Sequence, residues 1–167
     1  MNWILYTLKE RSMTPCIGIR LEDKNIWEAR TPLIPEHLAA LRETHEIEFV
    51  VQESPIRAFS TAEYLEANAK VSPGVDDCPV VLAIKEIPIA ELQAEKTYLF
   101  FSHTIKGQPA NMPMLRRLME LGCQLLDYER MVDEQGKRVV FFGNYAGLAG
   151  MIDTLWALGQ RFSAEGI

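Results

Sequence analysis

The stretch VVLAIKEIPIAELQAEKTYLFFSHTIKGQ, residues 80–108, decides how the chain is read. It holds two short apolar runs, 80–84 and 98–101, rich in β-branched and aromatic residues. Runs of that length and composition read as buried strands. An ionisable residue closes each run, Lys85 after the first and His103 after the second. A lysine and a histidine at matching ends of two buried strands is the feature the rest of the sequence has to explain.

Working outward, CIGIRLE (16–22) and IEFVVQES (47–54) also read as strands, as do CPVVLAIKE (78–86), KTYLFFSH (96–103), CQLLDYERM (123–131) and RVVFFG (138–143). Between them lie helical signatures. IPEHLAALRETHE (34–46) opens on a proline suited to the first helical position, and STAEYLEANAK (60–70) carries the Ser60/Glu63 spacing of a capping box. NMPMLRRLMELG ends on Gly122, a glycine placed to close a helix. VDEQGKR (132–138) reads as a turn through Gly136 that joins the last two strands in a hairpin. NYAGLAGMIDTLWALGQRF (144–162) reads as one long helix. Strands alternating with helices predict an α/β fold. The expected architecture is a three-layer sandwich around a mostly parallel, Rossmann- or flavodoxin-like sheet, with a long C-terminal helix.

In such sheets, ligands bind outside the carboxyl ends of the strands. Lys85 and His103 both fall at that edge, and neighbouring strands would let them act on one substrate atom. A lysine that loses hydration has its charge disfavoured, and a histidine titrates near neutrality. Such a pair suits proton transfer at a carbonyl, carbinolamine or imine carbon. The plain alternative is a solvated Lys85–Glu86 pair and a histidine that caps a loop. Arg30, in NIWEARTPLIP, belongs at the same edge, where a guanidinium fork suits a carboxylate; pairing with Glu28 or Glu36 is the competing reading. Arg138 invites the same two readings. Glu129, near the end of a strand, would modulate Lys85 or pair with Arg130 or Arg138.

The 167 residues carry a formal net charge of −6, are 48% hydrophobic and 24% charged, and have the size of one globular domain. No cluster of basic residues is present to track a nucleic-acid backbone, and no apolar run is long enough to span a bilayer. A soluble, cytoplasmic chain is expected. Cys16, Cys78 and Cys123 lack metal-ligand spacing and read as reduced thiols, so neither a zinc site nor a disulfide framework is expected.

The stretches IGIRLEDKNIWEARTPLIPEH, VVLAIKEIP, YLFFSHTIKGQPANMPMLRRLMELGCQLLDYE and GKRVVFFGNYAGLAGMIDTLWALGQR together resemble the N-terminal domain of lysine-ketoglutarate reductases and saccharopine dehydrogenases. More distantly they resemble alanine dehydrogenase and nicotinamide nucleotide transhydrogenase. The resemblance implies that Lys85 and His103 are the acid–base pair and that Arg30 and Arg138 hold substrate carboxylates. It also implies that Glu129 tunes Lys85, with Lys106 and Gln108 as further substrate contacts. It implies residues 1–16 as an N-terminal extension and 17–167 as the substrate domain of an enzyme joining lysine to 2-oxoglutarate. The hydride of that reaction comes from NAD or NADP. GNYAGLAG (143–150) is not a dinucleotide fingerprint, so no cofactor is expected on this chain alone, and a Rossmann domain in cis or trans is the expected partner. Two other readings stay open: a binding module for amino or dicarboxylic acids without catalysis, and an alanine-dehydrogenase-like domain. The apolar stripe of the last helix predicts a homodimer, or aggregation, through residues 145–162.

Overall fold

The structure is a computed structural model that describes residues 16–166. The expected N-terminal extension, Cys16 apart, lies outside the described residues. Contacts divide the chain into two compact units, one ending at Tyr128 and the other starting at Glu129.

The first unit is built on six parallel strands: β1 (Cys16–Ile19), β2 (Glu48–Gln52), β3 (Lys70–Ser72), β4 (Val80–Leu82), β5 (Thr97–Phe100) and β6 (Gln124–Asp127). Their spatial order is β3-β2-β1-β4-β5-β6, and every pairing is parallel. That is the order of doubly wound α/β folds, in which the winding reverses between β1 and β4 and opens a crevice at their carboxyl ends.

Alternation along each strand sorts side chains onto two faces. Ile19, Phe49 and Val51 pack on one face with Leu38 of α1 (Pro35–His45) and Tyr64 of α2 (Thr61–Glu66). Val81, Tyr98 and Phe100 pack on the other with Met114 and Leu118 of α3 (Met112–Glu120), and with Ile87 and Leu92 around a 3-10 turn at Ile89–Glu91. Two apolar clusters on opposite faces give the three layers.

The helix ends follow the chemistry of the sequence. Pro35 stands in the first turn of α1, and Ser60 and Glu63 form a reciprocal capping box on α2. After α3, Gly122 takes φ +65°, while its N–H bonds to the Met119 carbonyl and that of Cys123 to the Leu118 carbonyl. This closes the helix in a Schellman motif.

Three expectations are corrected. The second helix stops at Glu66 rather than running to Lys70, because Asn68 turns the backbone into the left-handed region at φ +59°. Lys70 then opens β3, a three-residue edge strand too short to leave a pattern. The expected strand 138–143 does not form either. The turn through Gly136 exists, at φ +78°, but pairing is limited to the Val132–Arg138 bridge and its flanking hydrogen bonds. Val139 and Phe141 are exposed, and β propensity reflects the fit to a half-buried sheet surface rather than a preference of the backbone itself. The second unit ends in α4 (Gly143–Glu165), the expected long helix.

Candidate functional site at the carboxyl edge of the sheet

β4 and β5 are adjacent and in parallel register, with Leu82 opposite Leu99. Lys85 and His103 each lie three residues past the end of their strand, so both leave the sheet at its carboxyl edge. Main-chain bonds carry the pairing slightly beyond the strands, from Ala83 N–H to the Leu99 carbonyl and from Phe101 N–H to the Ile84 carbonyl.

His103 is held from three directions. Its backbone adopts φ +51°, a region that histidine enters more readily than most residues. Asn111, at the start of α3, turns its amide back to donate to the carbonyls of Ser102 (3.0 Å) and His103 (3.3 Å) and to Glu86 Oε1 (3.2 Å). The ring stacks on Phe101, and Nδ1 meets Glu86 Oε1 at 2.8 Å. A carboxylate on Nδ1 selects the Nδ1–H tautomer of the neutral ring and directs proton exchange to Nε2. Glu86 is therefore not the solvated partner of Lys85. Its side chain is only 14% exposed, and Lys24 Nζ stands 3.5 Å from its other oxygen. Burial pushes its carboxyl up, but its own backbone N–H, His103 and Lys24 outweigh that and leave it below the usual carboxylate range.

A second cluster rises from the β1 end. Arg20, 6% exposed, is saturated by Asp23 and Glu91. Glu22, equally buried, accepts the backbone N–H groups of Ile84 (2.6 Å) and Lys85 (3.0 Å), so the main chain of the lysine hangs from a carboxylate. Burial raises the Glu22 carboxyl above its ordinary value, and nearby Glu28 adds to the rise. Glu28 holds Arg30 through a fork, Nε at 2.7 Å and Nη2 at 2.5 Å. The Arg30 guanidinium keeps the Glu28 carboxyl low against the opposing effect of burial, and Lys85 contributes in the same sense. Arg30, Glu28 and Lys85 thus form one electrostatic group.

Lys106 is exposed in the turn after His103, which closes through Gly107 at φ +65°. Gln108 follows, half-buried, and its buried Oε1 has no hydrogen-bond donor among the described residues. Glu129 and Arg138 belong to the second unit, Glu129 in a 3-10 turn at Tyr128–Arg130 and Arg138 exposed at the bridge to Val132. Sequence reasoning missed Glu22 and Asn111 as parts of the site and discounted Glu86. Charge just past a strand reads as solvated, and only the strand order shows which charges neighbouring elements cover. Among the described residues, no group of three His, Cys, Asp or Glu side chains is placed to hold a metal, and no helix is long and apolar enough to cross a membrane.

The depressed carboxyls carry a pH signature. Glu28 and Glu86 sit below the ordinary value of 4.5, so their contribution to stability is present above that value and is lost as pH falls through their folded values. Glu22 has the opposite sign. Urea denaturation at pH 7 and at pH 3.5 should show a loss of stability on acidification in the native chain and a smaller loss in Glu28→Gln. An equal loss in both would remove Glu28 from the account.

Comparison with known proteins adds a family to this geometry. The family described as alanine dehydrogenase/PNT, N-terminal domain, matches residues 18–149. Mitochondrial alpha-aminoadipic semialdehyde synthase of Rattus norvegicus is 40% identical over 152 residues, covering 91% of this chain and 16% of that protein. The saccharopine dehydrogenase (NAD(+), L-lysine-forming) of Neurospora crassa is 33% identical over 144 residues, 83% of this chain and 38% of that protein. The chain therefore spans between about a sixth and two fifths of these relatives. Among solved structures, an L-alanine dehydrogenase superposes with a TM-score of 0.61 at 20% identity, over 73% of this chain and 34% of that one. A transhydrogenase from Sinorhizobium meliloti gives 0.59 at 16%, over 70% and 36%. Both share the fold.

Proposed function

Because the chain belongs to the alanine dehydrogenase/PNT N-terminal domain family, we propose that it is the substrate-side domain of a saccharopine-type, NAD(P)-dependent oxidoreductase. Residues 17–167 form that domain, and the reaction joins lysine to 2-oxoglutarate, or runs in reverse. The observation that carries the reading is the placement of Lys85 and His103 past adjacent parallel strands, with Glu86 on His103 Nδ1.

The chain's own residues move protons and hold carboxylates. The substrate amine adds to the keto carbon, and Lys85 and His103 relay the protons of addition and of water loss, with Nε2 as the exchanging nitrogen of His103. Arg30 receives a substrate carboxylate. Lys106 and Gln108 add contacts, and the donor-less Oε1 of Gln108 fits a substrate ammonium. NAD or NADP supplies hydride in the complete enzyme. The glycines of the 143–150 segment lie within α4 instead of in a turn between strand and helix, so this segment does not fit a pyrophosphate and no step is assigned through it. A Rossmann domain in cis or trans is the partner that would bind the dinucleotide.

Turnover tests the reading. With a nicotinamide-binding domain supplied, oxidation of NADH or NADPH should require both lysine and 2-oxoglutarate. A requirement for pyruvate and ammonia would favour an alanine-dehydrogenase-like domain instead, and saccharopine binding without turnover would favour a binding module.

Leu148, Met151, Ile152, Leu155 and Trp156 of α4 are all more than 60% exposed. Pairing of residues 145–162 with a second copy would cover them, and exposed apolar patches beyond a few hundred Å² mark association surfaces. Light scattering of the chain at ~100 µM, a level above most dimer Kd values, should then report a dimer. A monomer there removes the homodimer.

A further inference from the structure

Cys16 and Cys78 are 62 residues apart in sequence, yet their sulfurs stand 2.8 Å apart. The fold forces them together. Cys16 and Gly18 lie on the same face of β1, and the loop before β4 is pressed onto that face. A Cβ at Gly18 would meet Val75 Cβ at 2.7 Å and Cys78 Cβ at 3.2 Å, so the loop sits where only a glycine leaves room. The register of Ile17 opposite Val80 fixes the loop's end beside Cys16. A disulfide needs the sulfurs at about 2.05 Å, so less than one ångström of closure separates this pair from a bond. Cys123 takes no part, since its thiol donates to the Gln93 carbonyl at 3.0 Å.

We infer that Cys16 and Cys78 are a covalent modification site, a thiol pair that exchanges with a low-molecular-weight disulfide to cross-link β1 to the loop before β4. Cys16 is the point of entry, because it is half-buried whereas Cys78 is 1% exposed. The Cys16 thiolate attacks one sulfur of the oxidant, breaks its S–S bond and releases one free thiol, leaving a mixed disulfide on Cys16. Cys78 then loses its proton and attacks Cys16 Sγ, which expels the second thiol and forms the Cys16–Cys78 bond. Two protein thiols are oxidised, one small disulfide is reduced to two thiols, and no other reactant is needed. Burial pushes the Cys78 thiol up to about 12, which makes the second step the slow one. The contact distance compensates by making that step intramolecular and short in reach.

The cross-link would close a loop containing α1, β2, α2 and β3 while joining the amino ends of β1 and β4. The Glu22 and Lys85 region lies at the opposite ends of these strands, so the bond restrains the frame of the site without entering it. It also restricts the unfolded chain, more so for a long loop.

The experiment incubates the full chain with glutathione disulfide at pH 8 and follows intact mass, peptide maps and thermal unfolding. The expected product is about 2 Da lighter than the reduced chain, free of adduct, and yields a Cys16–Cys78 linked peptide. Its Tm should rise by on the order of 10 °C and return with dithiothreitol. Cys16→Ser should abolish the shift and Cys123→Ser should leave it intact. A persistent glutathione adduct on Cys16, no reaction, or a link through Cys123 would each overturn the inference. The peptide map of the native sequence decides it even where a Cys78 variant fails to fold.

Discussion

Lys85→Met and His103→Gln should each lower turnover by about 10²- to 10⁴-fold, the range expected when one positioned acid–base group is removed, once a nicotinamide-binding domain completes the enzyme. Folding stability should change far less. Lys85 is half-buried, and methionine keeps most of its apolar stem, so the change should stay within about 1 kcal/mol. Glutamine at position 103 keeps an N–H that can face Glu86 Oε1, and loses the ring stack on Phe101 and some ease at φ +51°. That again amounts to about 1 kcal/mol. Stopped-flow turnover and urea denaturation of the same preparations separate the effects. The pH profile adds a check that a structural role would not supply. Loss of one proton-transfer group should remove one limb of the profile of kcat/KM, whereas misfolding would scale the whole curve. If stability and turnover fall in parallel, the pair is part of the scaffold and the proton-relay reading fails.

Much of this frame could be read without coordinates, because the elements that form it carry local signals. The proline of α1, the Ser60/Glu63 box and Gly122 act through their own neighbours, and each appears in the structure where the sequence puts it. The apolar runs at 80–84 and 98–101 mark β4 and β5, whose adjacency brings the ends carrying Lys85 and His103 to one edge. What escaped depends on contacts distant in sequence. β3 owes its existence to pairing with β2, and the stretch 138–143 fails as a strand because no sheet receives it beyond one bridge. The acidic side chains are the sharpest case. Glu86 and Glu22 look like ordinary surface charges in KE and RLE. Glu86 is half-buried because α3 brings Asn111 over it, and Glu22 is buried because β4 overruns the end of β1 to meet it. Nothing within four residues of either glutamate announces that.

Glu22→Ala should destabilise the first unit by about 2–4 kcal/mol, since each buried N–H left without an acceptor costs about 1–3 kcal/mol. β1 pairs with β4 as far as Ile19 and Leu82, and one further bond runs from Arg20 N–H to the Leu82 carbonyl. Beyond that point the main chain of β1 departs, and the N–H groups of Ile84 and Lys85 are met by the two carboxylate oxygens of Glu22 instead. The side chain takes over where the strand ends, at the place where the winding of the sheet reverses. Alanine removes both acceptors at once. Part of the loss is returned, because a carboxylate 6% exposed also gives up hydration, as its raised titration range reflects. This fixes the sign of the pH dependence. With its folded value raised, Glu22 stabilises most at low pH and less as pH climbs through its folded value, so the gap between native and Glu22→Ala should narrow in that direction. Glu22→Gln should fall between the two, since its one acceptor oxygen serves one N–H while its amide faces the other. Hydrogen exchange localises the effect: the amides of Ile84 and Lys85 should lose protection in Glu22→Ala while those of Val50 and Val51 keep theirs. An alanine variant as stable as the native chain, with both amides still protected, would show that the anchor of Lys85 lies elsewhere.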